Sequence, residues 1–285
     1  MHAASRESLA ALSQRLDAAI SGDNVAVAQA AQTGSELFDI VEVLDSDRGL
    51  RVAVADTSAT AEQRSGLVRS LFAGKVSETT LNLVVDAAAQ VWSTPREMRE
   101  GLVELGRRAL LRSAEGQGQL ETVESELFQL GHILAEQSQL EQLLADKAAT
   151  PEAKRGLLAS VLYGKVTSVT ETLALQAVGR PSKRPADDID SLSRLAAGLR
   201  NHVVARVTSA TAVSDEQERA LADKLGRVYG KAMSIHTVID KSILGGLVIR
   251  VGDEVIDGSL STKLEKLRVG PVSYTHLTLP TTPYV

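Results

Sequence analysis

The sequence has no cysteine in its 285 residues. That excludes disulfides, thiolate metal sites and a cysteine nucleophile, and it suits a reducing compartment, with the cytosol as the default expectation. Aromatic residues are scarce, at 3%, so the core must be aliphatic and rich in Ala. Such a core fits closely approaching helices better than an aromatic-lined pocket for a small molecule. Excess positive charge is also missing: the formal net charge is -5 and the pI about 5.6. There is therefore no general attraction to a phosphate backbone, and no nucleic acid partner is expected. No stretch approaches the roughly 20 apolar residues of a spanning helix, and "MHAASRESLAALSQRLDAAI" lacks the apolar centre of a signal peptide. No direct membrane insertion is expected, so any membrane association must come through a partner. What remains is ordinary for a soluble globular chain, 44% hydrophobic and 24% charged, with a length that suggests about two domains.

Self-similarity organises most of the chain. "DTSATAEQRSGLVRSLFAGKV" from Asp56 aligns without a gap on "DKAATPEAKRGLLASVLYGKV" from Asp146, an offset of 90 residues. The same offset pairs Ser35 with Ser125 at the head of two "SELF" tetrads, Leu83 with Leu173, and Pro95 with Pro185. Gapless register over such separated points marks a duplicated unit. Each copy reads as short amphipathic helices. Leu9, Leu12, Leu16 and Ile20 form one stripe behind Ser5 as a candidate N-cap. Thr60 with Gln63 makes a capping box for a helix whose apolar face is Leu67, Leu71 and Phe72, closed by Gly74. The second copy repeats this with Thr150, Leu157, Val161, Leu162 and Gly164, and Pro151 occupies the first turn, where a missing N–H costs nothing.

Strong helix formers run from Arg96 to Gln137, with a soft break expected at Gly116 and Gly118. Asp187 and Asp188 are expected to start a helix that leads out of the bundle. From about Val203 the period changes to that of a strand. A helix capped by Ser214 with Gln217, a second strand at "SIHTVID", and a hairpin of "GGLVIRV" and "EVIDGS" turning at Gly252 and Asp253 complete a small α/β domain. The fold class expected is mainly α, a duplicated helical bundle domain followed by a small C-terminal α/β domain. The expected domains are 1–96, 97–200 and 201–268.

Chemical motifs do not survive inspection. "AGKV" and "YGKV" lack the preceding Gly and the following Ser or Thr of a phosphate loop, and "GQGQLE" lacks the third Gly and the strand of a dinucleotide fingerprint. The histidines, His2, His132, His202, His236 and His276, show no metal spacing; His132 and Glu136 read as a surface pair. No Ser lies in a nucleophile elbow. Adjacent Asp187 and Asp188 point apart on a helix. No catalytic, cofactor-binding or metal residues are nominated, and no cofactor is expected. Arg99, Arg107, Arg108 and Arg112 could face an acidic partner helix, but Glu97, Glu100 and Glu104 lie among them, the pattern of a solvated face with i to i+4 pairs.

The ending carries a resemblance. Asp240, Leu244, Gly245, Gly246, Ile249, Gly252, Asp253, Val255, Asp257, Gly258 and Ser259, in "IDKSILGGLVIRVGDEVIDGSLSTKLEKL", resemble the C-terminal signature of the delta subunit family of the F-type ATP synthase, the oligomycin-sensitivity-conferring family. An ordinary member would cover about Arg107 to Leu267, and the first copy would be the addition of an actinobacterial long form, which "VWSTPREMREGLVELGRRALLRSAE" also resembles. Read from the residues alone, Gly245 and Gly246 open a strand, Gly252 serves the hairpin, and Gly258 precedes a last helix capped by Ser259.

The resemblance implies a non-catalytic stator in the peripheral stalk, lying peripherally on the cytoplasmic face of the cell membrane. It would hold the N-terminal helix of the alpha subunit in a helical groove and the b-type stalk subunit through the α/β domain. By analogy the groove would use Leu102, Leu105, Ala109 and Leu110 on one helix, with Leu173 and Ala177 on another. An enzyme with a helical cap over a small α/β domain, or a generic helical adaptor, is the alternative; the first has no nominated catalytic side chains and the second leaves the signature unexplained. "VSYTHLTLPTT", Val272 to Thr282, resembles the translation of a sequencing-library adapter, so 269–285 is expected to be a non-native tail.

Overall fold

The computed structural model describes residues 1–20, 24–262 and 264, with the side chains of residues 24 and 25 left aside. The suspected tail and the body of the expected closing helix lie outside the described residues. The chain divides into two compact units, Met1–Arg200 and Asn201–Val285.

The first unit is helical: α1 (Ala3–Ala19), α2 (Asn24–Ser46), α3 (Arg48–Ala53), α4 (Ala61–Phe72), α5 (Glu78–Ala89), α6 (Pro95–Gly116), α7 (Leu120–Glu136), α8 (Ser138–Ala145), α9 (Pro151–Leu162), α10 (Ser168–Gly179) and α11 (Pro185–Leu199). The helix starts follow the local chemistry. Thr60 accepts from the N–H of Gln63 while the Gln63 side chain returns to the N–H of Thr60, and Thr150 caps α9 with Pro151 in its first turn. Gly74 and Gly164 follow their helices in the left-handed region, at φ of +73° and +68°, where any L side chain is strained. Gly118, at +69°, makes the break between α6 and α7.

The 90-residue offset holds in three dimensions and has a consequence for the middle of the unit. It carries α4 onto α9 and α5 onto α10, but it carries α1 onto α6 and α6 onto α11. One helix is thus the sixth of the first copy and the first of the second. Its two faces bear this out: Leu102, Leu105 and Ala109 join the core of the first copy, whereas Leu110, Leu111 and Ala114 join that of the second. Phe38 of α2 crosses over to the second core, its ring 3.0 Å from where a Cβ on Gly106 would lie. Closeness of α2 and α6 depends on two glycines, because a Cβ on Gly34 would come within 2.7 Å of Leu110 Cγ. The boundary expected at 96 and 97 therefore falls inside one compact unit, at the head of a shared helix.

Two local expectations are corrected. Ser5 does not cap α1, which begins at Ala3; its buried hydroxyl donates instead to Glu97 at 2.6 Å. α11 does not lead out of the bundle, since Ile189, Leu192 and Ala196 are buried in the second core and their spacing lays an apolar stripe on α7.

The second unit is a four-stranded sheet of order β2-β1-β3-β4, from β1 (His202–Ser209), β2 (Ala232–Ile239), β3 (Leu247–Val251) and β4 (Glu254–Asp257), with α12 (Asp215–Tyr229) between β1 and β2. β1 and β2 are parallel, and the other pairs antiparallel. The core of this unit is Ala205, Val207, Met233, Ile249 and Val251, against Leu225 of α12 with Leu221 and Tyr229 beside it. Ser214 and Gln217 form the expected capping box, and the β3–β4 turn has Gly252 at φ +58°.

Candidate partner-binding site

The nominated hydrophobic residues lie beneath the surface. Leu102, Leu105, Ala109 and Leu173 are fully buried, and Leu110 and Ala177 nearly so. Leu102, Leu105 and Ala109 belong to the first core, and Leu110, Leu173 and Ala177 to the second. The structure does not bring the six together as one open groove; they back the surface around α6 and α10 from within.

The glycine-rich signature builds the end of the sheet unit. Asp240 accepts from the N–H of Ser242 at 2.8 Å. The Gly245 carbonyl accepts from Leu260 at 2.9 Å, and the Leu247 carbonyl from Gly258 at 2.9 Å. Gly246 is at φ +85°, and a Cβ there would collide with the Gly258 carbonyl, so this crossing is open only to glycine. Asp257 accepts from the Ser259 N–H at 2.8 Å and from the Thr262 hydroxyl at 2.7 Å, while Ser259 accepts from the Thr262 N–H at 3.3 Å. Gly252 and Asp253 occupy the hairpin turn. These residues hold backbone, although most of them are themselves exposed. Exposed apolar side chains lie beside them, Ile239, Leu244, Leu260 and Leu264, with a cavity of about 400 Å³ lined by Val213, Leu221 and Leu247 among others. Periodicity did not single these out; exposure of a large apolar residue is a tertiary fact.

The arginine-rich face of α6 is not the solvated, self-paired face its spacing implied. Arg108 and Arg112 both clamp Asp17 of α1, at 2.5 and 3.0 Å, and Arg99 reaches Asp45 of α2 at 2.6 Å. Burial pushes the Asp17 carboxyl up, but the hydrogen bonds and charges of Arg108 and Arg112 outweigh it and hold the group down at about 2. Hydrogen bonding from Ser5 holds Glu97 down at about 2, against the opposing effect of burial and with help from His2. On α6 itself, Arg96 with Glu100 keeps the expected i to i+4 form, Arg112 also pairs with Glu115 at i to i+3 and 2.5 Å, and Arg107 with Glu104 is a loose i to i+3 contact at 3.9 Å. His132 and Glu136 pair at 3.3 Å at the surface. Among the described residues, no group of three or more His, Asp or Glu could hold a metal ion, and no helix is long and apolar enough to cross a membrane.

These features define a class, a helical repeat protein with a small α/β unit appended and its polar side chains engaged in holding helices together. The profile of the ATP synthase delta (OSCP) subunit family matches residues 108–269, more than half the chain. A Corynebacterium efficiens protein named ATP synthase subunit delta is 64% identical over 268 residues, 94% of this chain and 97% of the relative. One of the same name from Corynebacterium diphtheriae is 61% identical over 269 residues, 94% of this chain and 98% of that one. A chain in the cryo-EM structure of the Toxoplasma gondii mitochondrial ATP synthase hexamer is 19% identical, with 57% of this chain and 92% of that chain covered and a TM-score of 0.33, a likeness too slight to argue from. The chain belongs to the ATP synthase delta (OSCP) subunit family.

Proposed function

We propose that this chain is a stator subunit in the peripheral stalk of an F-type ATP synthase, without catalytic chemistry of its own. It ties the catalytic head to the b-type stalk, so that proton-driven rotation is coupled to ATP synthesis. The observation that carries this reading is the extent of the family match, which takes in the second helical copy and the α/β unit together. A joint must grip on both sides, and two compact units provide two surfaces.

The helical unit takes the N-terminal helix of an alpha subunit, on the surface backed by Leu102, Leu105, Ala109, Leu110, Leu173 and Ala177. The α/β unit takes the b-type stalk near the exposed Leu244 and Leu260, which the signature from Asp240 to Ser259 holds in place. Peripheral placement on the cytoplasmic face of the membrane follows from assembly with those partners. Resisting torque calls for contacts on the order of nanomolar, about -12 kcal/mol.

Membranes stripped of this subunit provide the test. Adding the purified chain is expected to restore ATP-driven proton pumping, and ATP hydrolysis that remains uncoupled after saturating addition would overturn the proposal. Calorimetry with a peptide copying the alpha N-terminus is expected to show binding below micromolar concentration, and absence of heat there would remove alpha as the partner of the helical unit. Domain boundaries can be checked by deleting residues 1–95, which should expose the first-copy face of α6 and destabilise the remainder, since α6 serves both cores.

A further inference from the structure

Arg107 is a partly buried cation, its side chain 18% exposed, without an adequate counter-charge. Its Nε is enclosed and has no hydrogen-bond partner. Its one ion-pair contact among the described residues is Glu104 at 3.9 Å, longer than a charge-assisted hydrogen bond. Burial pushes its guanidinium pKa down; Glu104 and Asp188 oppose this, and Arg99 adds to it. Asp188 is committed elsewhere, accepting from the Ser182 and Lys183 N–H groups at 2.8 and 3.1 Å and from the Ser182 hydroxyl at 2.7 Å. An arginine cannot escape such a site by losing its proton, so the chain alone leaves a cost of desolvation uncompensated.

The same side chain lines a cleft of about 380 Å³ between α6, the first turns of α1 and the α10–α11 loop. Arg96, Arg99 and Arg180 line it too, against Glu100 and Glu104. Arg180 is held by Asp45 and Glu42 of α2 at 3.4 and 3.8 Å, and Arg99 by Asp45. The apolar part of the wall is Leu9, Val103 and Pro181. A second cavity, of about 400 Å³, continues along α6 past Leu9, Arg108 and Leu195. The result is a trough with the shared helix along it, apolar in places and with a cation in excess.

We propose that this trough is a binding site for a carboxylate-bearing segment of a partner polypeptide, with Arg107 the residue that takes the carboxylate. A polypeptide fits better than a free anion, because the continuation along α6 and the apolar contacts at Leu9, Val103 and Leu195 match an extended or helical segment. The reading rests on the chain working by gripping protein partners, and it adds a site made by the duplication itself, since both α1 and the α10–α11 loop must flank α6.

The test uses the full chain, Arg107→Met and Arg107→Gln. Relief of a partly buried, weakly paired charge should raise the melting temperature of the free variants by a few degrees, while their affinity for stripped membranes falls about tenfold and loses part of its salt dependence. A photo-crosslinker at Val103 should capture a subunit of the complex in membranes. A lower melting temperature with unchanged membrane affinity would make Arg107 a structural residue and overturn the proposal. So would stabilisation of the wild-type chain, and not of Arg107→Met, by millimolar inorganic phosphate without a crosslinked polypeptide, which would identify a free-anion site. Failure of the wild-type chain to bind membranes would instead strike at the stator reading.

Discussion

Glu36 and Glu126, one in each copy of the repeat, perform the same task, whereas Asp17 and Arg107, equally equivalent by the 90-residue offset, carry opposite charges. Glu36 accepts from the Ser77 N–H at 3.0 Å and its hydroxyl at 2.6 Å; Glu126 accepts from the Thr167 N–H at 3.0 Å and its hydroxyl at 2.8 Å. Each carboxylate ties the second long helix of its copy to the start of the fifth, which is an internal need of the bundle. Asp17 lies on α1, the outer helix of the first copy, and is satisfied by two arginines of α6. Arg107 lies on α6 itself, and no carboxylate satisfies it closely. Glu36 and Glu126 answer a need that each bundle has on its own, whereas Asp17 and Arg107 differ in setting, since α1 packs into one core and α6 into two.

A third pair sharpens the contrast. Arg64 is buried and donates to the carbonyls of Ala59 at 2.6 Å, Ala88 at 2.7 Å, Asp56 at 3.1 Å, Ala89 at 3.2 Å and Gln90 at 3.3 Å. Its counterpart Lys154 is buried also, but an ammonium cannot fork across two carbonyl-bearing strands of chain as a guanidinium does.

The largest test of the comparison is Phe38→Ala. It removes a ring from the second core that is carried by a helix of the first copy, and should cost about 3–5 kcal/mol. Trp92, the single tryptophan, reports on the first copy in urea, and amide exchange in α9 and α10 reports on the second. Both should shift together, and separate midpoints would show that the shared helix does not couple the copies. Next is Arg64→Lys, which makes the first copy like the second. Loss of several carbonyl contacts should cost about 2 kcal/mol, and a neutral result would mean the two residues are interchangeable.

Glu36→Gln and Glu126→Gln should each cost about 1.5 kcal/mol by weakening charge-assisted bonds, with equal shifts in the urea midpoint expected. A clear inequality would end the claim that the two perform one task. The smallest effect is that of acid on Asp17. Its folded pKa, about 2, lies below the unfolded value, so the stabilisation is present above about pH 4 and lost as pH falls toward 2. Allowing for solvent screening, about 1 kcal/mol should disappear over that window. An Asp17→Asn chain should lack that part of the pH dependence in acid unfolding curves.

Much of this architecture could be read from residues in sequence. Thr60 with Gln63, Thr150 with Pro151, and Ser214 with Gln217 define helix starts because a cap is satisfied within four residues. Gly74, Gly164 and Gly252 mark turns because positive φ excludes other residues locally. The candidate site was less legible. Leu102, Leu105 and Ala109 share a helical face by period, and period cannot say whether that face meets a partner or another helix of the same chain. The cross-helix partners of Arg99, Arg108 and Arg112 were out of reach for the same reason, since i to i+4 rules see only the helix on which a residue lies.

The helical elements, the duplication, the change to a sheet near Val203 and the glycine-pinned ending are set locally, because each depends on backbone preference, capping or apolar period over a few residues. That one helix belongs to both copies, that Asp17 is doubly clamped and that Arg107 faces a cleft without a close counter-charge emerge once the chain is folded. Those outcomes depend on which helices meet, and that is fixed by burial of apolar surface between segments distant in the chain, where local spacing carries no information.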